Sequence, residues 1–422
     1  MGFCFKSEMK VINVLPLCDV EIVSGRQFTL VDLNERGHGI LNDKRNIIFG
    51  RDSISMIEGK TVAVVVPAYN EESQIAHVID SMPDFVDRII VINDRSKDDT
   101  RAVLETAFEN AEAGHRLERP SKEIHGAIGK FDYDRADRVL NELIANQGED
   151  HTKREILENP DKKLVVINHL ENGGVGAAIA SGYIWAREHR IDCTAVMAGD
   201  GQMDPAELEG ICLPVINEGV DYAKGNRLKH PAALQIVPRT RMFGNSVLSI
   251  LTKIASGYWK VSDTQTGYTA ISLYALDSIK LNKIYPRYGM PNDMLVKLNM
   301  QNCSVKEIII KPVYNVGEQS KMKVAKVIPK ISGILLKGFW RRIWTKYFIR
   351  EFHPLFLLYV FSHLSLAVGT YYLVKILYLW ITRLREINEL TILAFLFTFL
   401  FGFQSLLFAM WMDIQDNDRL YK

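Results

Sequence analysis

The sequence predicts an α/β fold, a mostly parallel sheet wound by helices, carrying a two-helix membrane hairpin. Three observations predict it. Apolar runs alternate with helix-like stretches from Lys60 to about Asp221, turns rich in Gly, Asn and Asp follow the apolar runs, and two long uncharged segments lie beyond His353. Over 422 residues, 24% charged and 47% apolar side chains exclude wholesale disorder. A formal net charge of +1 leaves no global field to recruit nucleic acid. The five cysteines (Cys4, Cys18, Cys193, Cys212, Cys303) form no C-x-x-C pair. Their odd number suits reduced thiols better than a disulfide framework or a cysteine zinc site.

Residues 1–58 hold short apolar runs broken by Gly and charge, and read as a strand-rich extension without assignable chemistry. "VINVLPLC" is too short for a signal peptide, and Lys6 stands where myristoylation needs Ser or Thr. The catalytic domain is expected over 59–320. Its strands are "TVAVVVPA", "RIIVIN", "KLVVIN" and "CTAVMA", each apolar enough for burial on both faces. Helices are expected over Glu72–Ser81, Asp98–Ala107, Val175–Glu188 and Pro205–Asn217. That order places a ligand at the carboxyl ends of the strands. Residues 109–161 are charged and weakly periodic where a short connection would suffice, and read as an inserted helical excursion.

A basic interfacial segment is expected over 321–352 and the hairpin with a short tail over 353–422. Pro354 to Val374 is 21 residues without a charge, and Leu390 to Met412 is 23. The first would span about 31 Å as a helix, roughly the bilayer core. From Lys321 to Arg350 there are nine Lys or Arg and no acid, which by the positive-inside rule puts residues 1–350 and "DIQDNDRLYK" in the cytoplasm. Phe339, Trp340, Trp344 and Phe348 interleave with these cations, as suits a helix in the headgroup layer.

The strand ends carry the candidate chemistry. In "VVPAYNEES", Pro67 ends pairing, Tyr69 offers a ring on which a base stacks, and Glu71 can reach a ribose hydroxyl. In "VINDRSKDDT", Asp94 can accept from a base N–H or cap the next helix. Gly173, Gly174 and Gly176 in "ENGGVGAA" allow close backbone approach, and the helix N-terminus after them favours a phosphate. In "GDGQMDPAE", Asp200 and Gln202 offer oxygens one residue apart, a donor set for Mg²⁺ or Mn²⁺ rather than zinc. Asp204-Pro205-x-Glu207 reads as an N-cap, a proline at N1 and a capping-box glutamate, not a ligand.

Together with "GNR", "DTQTGY" and "PNDML", these turns resemble the family-2 glycosyltransferases over about residues 60–315, with their A-type nucleotide-sugar fold. Within them the chain looks most similar to polyprenyl-phosphate (dolichyl-phosphate) glycosyltransferases, dolichyl-phosphate mannose synthases included. The resemblance implies nucleoside contacts at Pro67, Tyr69, Glu71 and Asp94, with Gly173 and Gly199 beside them, and metal ligation by Asp200 and Gln202. It also implies a phosphate-holding basic group at Arg227, Arg239 and Arg241. Departures are Ala198, where relatives often carry Asp, Asn93 for the first of an Asp pair, and no lysine in "ENGGVG". These departures favour a UDP-linked donor, glucose or N-acetylglucosamine, over GDP-mannose.

A lipid phosphate is already anionic at neutral pH, because its second pKa lies near ~6. Positioning and charge neutralisation would then dominate, with Arg binding phosphate bidentately. The expected reaction is therefore inverting transfer of one hexose or N-acetylhexosamine to polyprenyl phosphate at the cytoplasmic face. A hydroxyl acceptor would need a carboxylate base, for which Asp263 and Asp293 are the candidates, each with a bland alternative as a turn or helix-start residue. That is the polysaccharide or glycolipid synthase alternative, although "GFWRRIWTKY" lacks the glutamine of Q-x-x-R-W. A third alternative is a non-catalytic nucleotide-sugar-binding membrane protein.

Overall fold

The computed structural model describes residues 59–114, 151–237, 239–313, 324–382 and 386–422, with the isolated positions 135 and 139. The extension 1–58 and most of the insertion lie outside the described residues, as do the side chains of Arg239 and Arg241. The described residues belong to one compact unit, Ile54–Lys422.

Strands β1 (Val62–Ala68), β2 (Arg88–Asn93), β3 (Arg154–Leu157), β4 (Leu164–His169), β5 (Cys193–Val196), β6 (Tyr222–Asn226), β7 (Thr269–Ser272) and β8 (Val305–Ile309) form one sheet. Its order is β3-β4-β2-β1-β5-β7-β6-β8. The β4-β2-β1-β5 centre is parallel. All four strands are apolar because helices cover both faces. One face packs α1 (Ile75–Asp80), α2 (Thr100–Glu109) and α4 (Leu208–Asn217). The other packs α3 (Val175–Glu188) with Tyr183 and Trp185 buried, then α6 (Leu273–Ser278) and α7 (Met290–Met300).

This is the expected mostly parallel, helix-wound sheet, with additions. β7 runs antiparallel between β5 and β6. Part of the insertion is β-structure rather than helix: β3 pairs antiparallel with β4 at the sheet edge. Its polar "REIL" hides the signal, since an edge strand with exposed side chains needs no apolar run. Asp204 caps a 3₁₀ turn, accepting from Ala206 N at 3.0 Å with Pro205 at its first position. Glu207 does not close a capping box; its Oε1 accepts from Lys311 N at 2.9 Å.

A third core joins α5 (Arg239–Ser256), α7, α8 (Val324–Arg342), a π-helical stretch Ile343–Arg350, and the feet of two long helices. These are α9 (Pro354–Thr382) and α10 (Glu389–Asp418), with mean hydropathies of 1.5 and 2.1. Their most apolar stretches are only 6% and 17% buried, unlike the core helices of a soluble protein. They could cross a membrane. They pack closely where Gly402 faces Leu366 and Gly369 faces Phe399, small residues of the kind that let apolar helices approach. The basic segment is not uniformly turned outward. Trp344, Ile349 and Phe352 are exposed, but Arg342 and Lys346 are wholly buried against partners.

Candidate nucleotide and acceptor site

The carboxyl ends of β1 and β2 are stitched together. Asn70, in the left-handed region at φ 56°, donates its N–H to Ser96 Oγ at 3.0 Å. Its Oδ1 accepts from Lys97 N at 2.8 Å. Glu71 N donates to Thr100 Oγ1 at 3.0 Å, and Asp99 N to Glu72 Oε2 at 2.9 Å. Pro67 is the penultimate residue of β1, and its carbonyl accepts from Gly199 N at 3.3 Å. Tyr69, Glu71, Gly199 and Asp200 therefore stand on one rim, with Gly199 buried and the others half-buried.

Asp200 closes a tight turn: its Oδ1 accepts from Gln202 N at 3.1 Å, across Gly201 at φ 68°. That conformation is one a side chain rarely adopts. Gly201 has a second reason to lack a side chain, because a Cβ would sit 2.5 Å from Gln74 Oε1. Beneath the turn, Ala198 N donates to Met203 Sδ at 3.2 Å. Among the described residues no three His, Cys, Asp or Glu side chains group as a metal cage. The donor set nevertheless fits a hard cation of the Mg²⁺ kind, which is commonly held by one or two carboxylates plus substrate phosphate oxygens.

Asp94 has partners within the fold. Buried, it accepts from Gly173 N at 2.8 Å and Gly174 N at 2.7 Å. His169 Nδ1 lies 2.8 Å from its Oδ1, while His169 Nε2 lies 2.9 Å from Ser181 Oγ. The next amides of α3, Gly176 N and Ala177 N, donate to Pro286 O at 2.9 and 3.2 Å. Four amides of the Gly-rich helix start, those of Gly173, Gly174, Gly176 and Ala177, are thus engaged by Asp94 and by the Pro286 carbonyl.

A second cluster of candidate residues is built at the ends of β6 and β8. Arg227 grips Asp263 through Nε at 2.9 Å and Nη2 at 3.1 Å, and donates its backbone N–H to the same carboxylate at 3.2 Å. Gln265 N and Thr266 N add donors at 3.3 and 3.2 Å. Burial alone would raise the Asp263 pKa, but the Arg227 charge and these hydrogen bonds outweigh it and hold the carboxyl below its usual range. Such a group is a clamp, not a proton acceptor. Asp293, in the first turn of α7, accepts from Tyr285 N at 2.9 Å, is paired with Lys297, and lies 3.5 Å from Arg341 Nη2. Arg239 and Arg241 fall in the first turn of α5.

Sequence reasoning missed Lys224, Glu307 and His169. Lys224 is wholly buried on β6 and donates to Thr266 O. Burial pulls its pKa down to about 8, against the nearby charge of Asp263. Glu307 Oε1 accepts from Ser262 N at 2.7 Å and Asp263 N at 3.0 Å, setting the loop that bears the clamp. For Lys224 the available signal was a lysine inside the strand-like "DYAKGN".

The model of Glycosyl transferase family 2 matches residues 63–127, the stretch that holds β1, β2 and their turns. Over those residues the chain matches a family-2 glycosyltransferase domain. A UDP-N-acetylglucosamine–dolichyl-phosphate N-acetylglucosaminyltransferase of Methanococcus voltae is 28% identical to this chain over 256 residues, 60% of this chain and 86% of the relative. An uncharacterized protein of Methanocaldococcus jannaschii is 26% identical over 230 residues, covering 54% and 88%. Among solved structures, glucosyl-3-phosphoglycerate synthase from Mycobacterium tuberculosis, in complex with Mn²⁺, UDP and glucosyl-3-phosphoglycerate, aligns with a TM-score of 0.41. It has 17% identity and covers 68% of this chain and 80% of that one.

Proposed function

We propose that the protein transfers one N-acetylglucosamine or hexose from a UDP-sugar to a polyprenyl phosphate at the cytoplasmic face of a membrane. The observation that carries this reading is the seating of a membrane-length hairpin on the body that bears the family-2 strand ends, which brings a lipid-borne acceptor within reach. The relative from Methanococcus voltae, named for transfer from UDP-N-acetylglucosamine to dolichyl phosphate, supports the donor and the acceptor. The cytoplasmic face rests on the charge bias between Lys321 and Arg350.

In this reading Tyr69 stacks on the base, Glu71 holds the ribose, and Asp200 with Gln202 would hold a divalent cation on the diphosphate. When bound, that cation would neutralise charge on the leaving group. A lipid-phosphate oxygen attacks C1 of the sugar while the bond from C1 to the diphosphate breaks. Arg227, Arg239 and Arg241 fix the acceptor's charge. A hydroxyl acceptor is disfavoured because both carboxylates named as bases, Asp263 and Asp293, are tied to cations.

The test is a donor screen on the full chain in detergent, with Mg²⁺ or Mn²⁺ and a short polyprenyl phosphate, reading lipid products by mass. One hexose or N-acetylhexosamine added to the lipid, and lost with EDTA, is expected. A ladder of additions, or no lipid product with any nucleotide sugar, overturns the reading.

A further inference from the structure

The second apolar helix ends in a buried polar knot. Asp413 accepts from Arg342 Nη1 at 2.7 Å and Nη2 at 2.8 Å, both side chains fully buried. Tyr347 OH at 2.7 Å, Trp259 Nε1 at 3.2 Å and Asn417 Nδ2 at 2.9 Å complete its shell. Arg342 spends further donors on the last turn of α5, Nε on Ala255 O at 3.0 Å and Nη2 on Ile254 O at 3.2 Å. Those carbonyls are otherwise orphaned at a helix end, and a cation there also meets the negative pole of the helix. Asn417 Oδ1 accepts from Lys346 Nζ at 2.8 Å and from Asn299 Nδ2, on α7, at 2.7 Å.

From this knot α5 runs to the acceptor side. Its Thr252 Oγ1 donates to Asn292 Oδ1 at 2.7 Å, which also accepts from Gln265 Nε2 at 2.9 Å. Ser249 Oγ lies 3.1 Å from Thr264 Oγ1. Thr264 and Gln265 follow Asp263, the clamp on Arg227, and the first turn of α5 carries Arg239 and Arg241. A second contact converges on the same loop. Val305 N donates to Leu420 O at 2.7 Å and Lys422 N to Val305 O at 3.0 Å, so Tyr421 bridges to the first residue of β8. Lys229 Nζ lies 3.4 Å from Tyr421 OH and 3.0 Å from Glu307, the residue that holds the amides of Ser262 and Asp263.

We infer that Asp413 is a positioning residue: docked on Arg342, it sets α5 and the 263–266 loop, and with them the lipid-phosphate subsite, in register with the nucleotide-sugar site. The assignment of that subsite rests on the function proposed above. Stability alone does not explain such a pair, since buried ion pairs are often no more stabilising than apolar side chains of the same size. What an apolar pair cannot supply is the directed bonding of Arg342 to the two carbonyls.

The test compares the full-length wild type in nanodiscs with Asp413→Asn and with Arg342→Gln/Asp413→Asn, whose neutral pair removes the stranded charge. In Asp413→Asn, amide exchange over Leu248–Ser256 is expected to rise about tenfold. The KM for polyprenyl phosphate should rise about tenfold, while UDP affinity and exchange over Val62–Ala68 stay within twofold. The double variant is expected to regain the melting temperature but not the KM, because Gln cannot reach both carbonyls. Unchanged exchange over Leu248–Ser256, or an unchanged KM in both variants, overturns the inference. A wild type that transfers no sugar to lipid phosphate defeats the proposed function instead, and the exchange measurement then decides the docking by itself.

Discussion

Asp263→Asn separates a clamp from a catalytic base. The carboxylate is 1% exposed and receives two guanidinium bonds and three backbone N–H bonds, so the substitution strands Arg227 beside a neutral amide. Removing one partner of a buried pair costs about 3–5 kcal/mol. Arg227 keeps 22% exposure and Asn keeps one acceptor oxygen, which places the expected loss near the lower figure. A protein with about 5–15 kcal/mol of stability still folds, with a melting temperature lowered by roughly 5 °C. If Arg227 then loses about 2.7 kcal/mol of phosphate binding in the transition state, transfer to the lipid falls ~100-fold. Single-turnover transfer and thermal unfolding on the same preparation are the assay. Activity and melting temperature should fall together. Activity lost with an unchanged melting temperature would refute the clamp, because a base acting on substrate contributes nothing to the fold.

Lys224 gives a pH signature. Its folded pKa of about 8 lies below the ordinary 10.5, so between those values the unfolded chain binds more protons and stability rises with pH. The full rise is about 3 kcal/mol. About 2 kcal/mol of it falls between pH 7.5 and 9.5, so melting temperatures at those two values should differ in the wild type and not in Lys224→Met, and equal slopes would refute it. Gly176→Ala should cost about 2–4 kcal/mol, since a Cβ there would collide with Tyr285 O and lie 2.9 Å from the Pro286 carbonyl carbon. A melting temperature within a degree of wild type would show that the 285–289 loop yields freely.

The legible part of the fold is the part whose burial is symmetrical. β1, β2, β4 and β5 are covered on both faces, so each is a continuous apolar run that periodicity finds within a residue or two. β3 is half-exposed at an edge and β7 is four residues long, and neither leaves a pattern longer than a turn. The site divides in the same way. Strand-end turns are read from Gly, Asp and Asn in order, because those residues are needed locally. The partners of Asp94 are not local: Gly173 and Gly174 lie 79 and 80 residues away, and His169 75. One sequence cannot say whether such a carboxylate waits for a ligand or already holds a turn. Arg342 and Lys346 fail differently, for a cation in a basic run reads as surface until its acid, here Asp413 or Asp416, is found 71 or 70 residues on.

The pairing of the acids also bears on the proposed acceptor. Asp263 is spent on Arg227, Asp293 is tied to Lys297, and Asp94 is held by two glycine amides and a histidine. The Arg227 charge holds the Asp263 carboxyl below its usual range, which makes it a poor proton acceptor. A neutral hydroxyl would have to shed its proton during attack, whereas a lipid phosphate arrives with its charge in place and asks only for cations and alignment. Cations are what the chain sets at the end of β6 and the start of α5: Arg227, still 22% exposed, then Arg239 and Arg241 in the first turn. The hairpin supplies the other requirement. Its far end returns to the sheet, where Leu420 pairs with Val305 and Asp413 with Arg342, so both ends of the hairpin and the site lie on one side of any membrane it crosses. Under the proposed function, a body fixed in that way would meet lipid-borne phosphates at the concentration of the surface rather than of the solution. Binding energy is then available for aligning the phosphate with C1 instead of for capturing it.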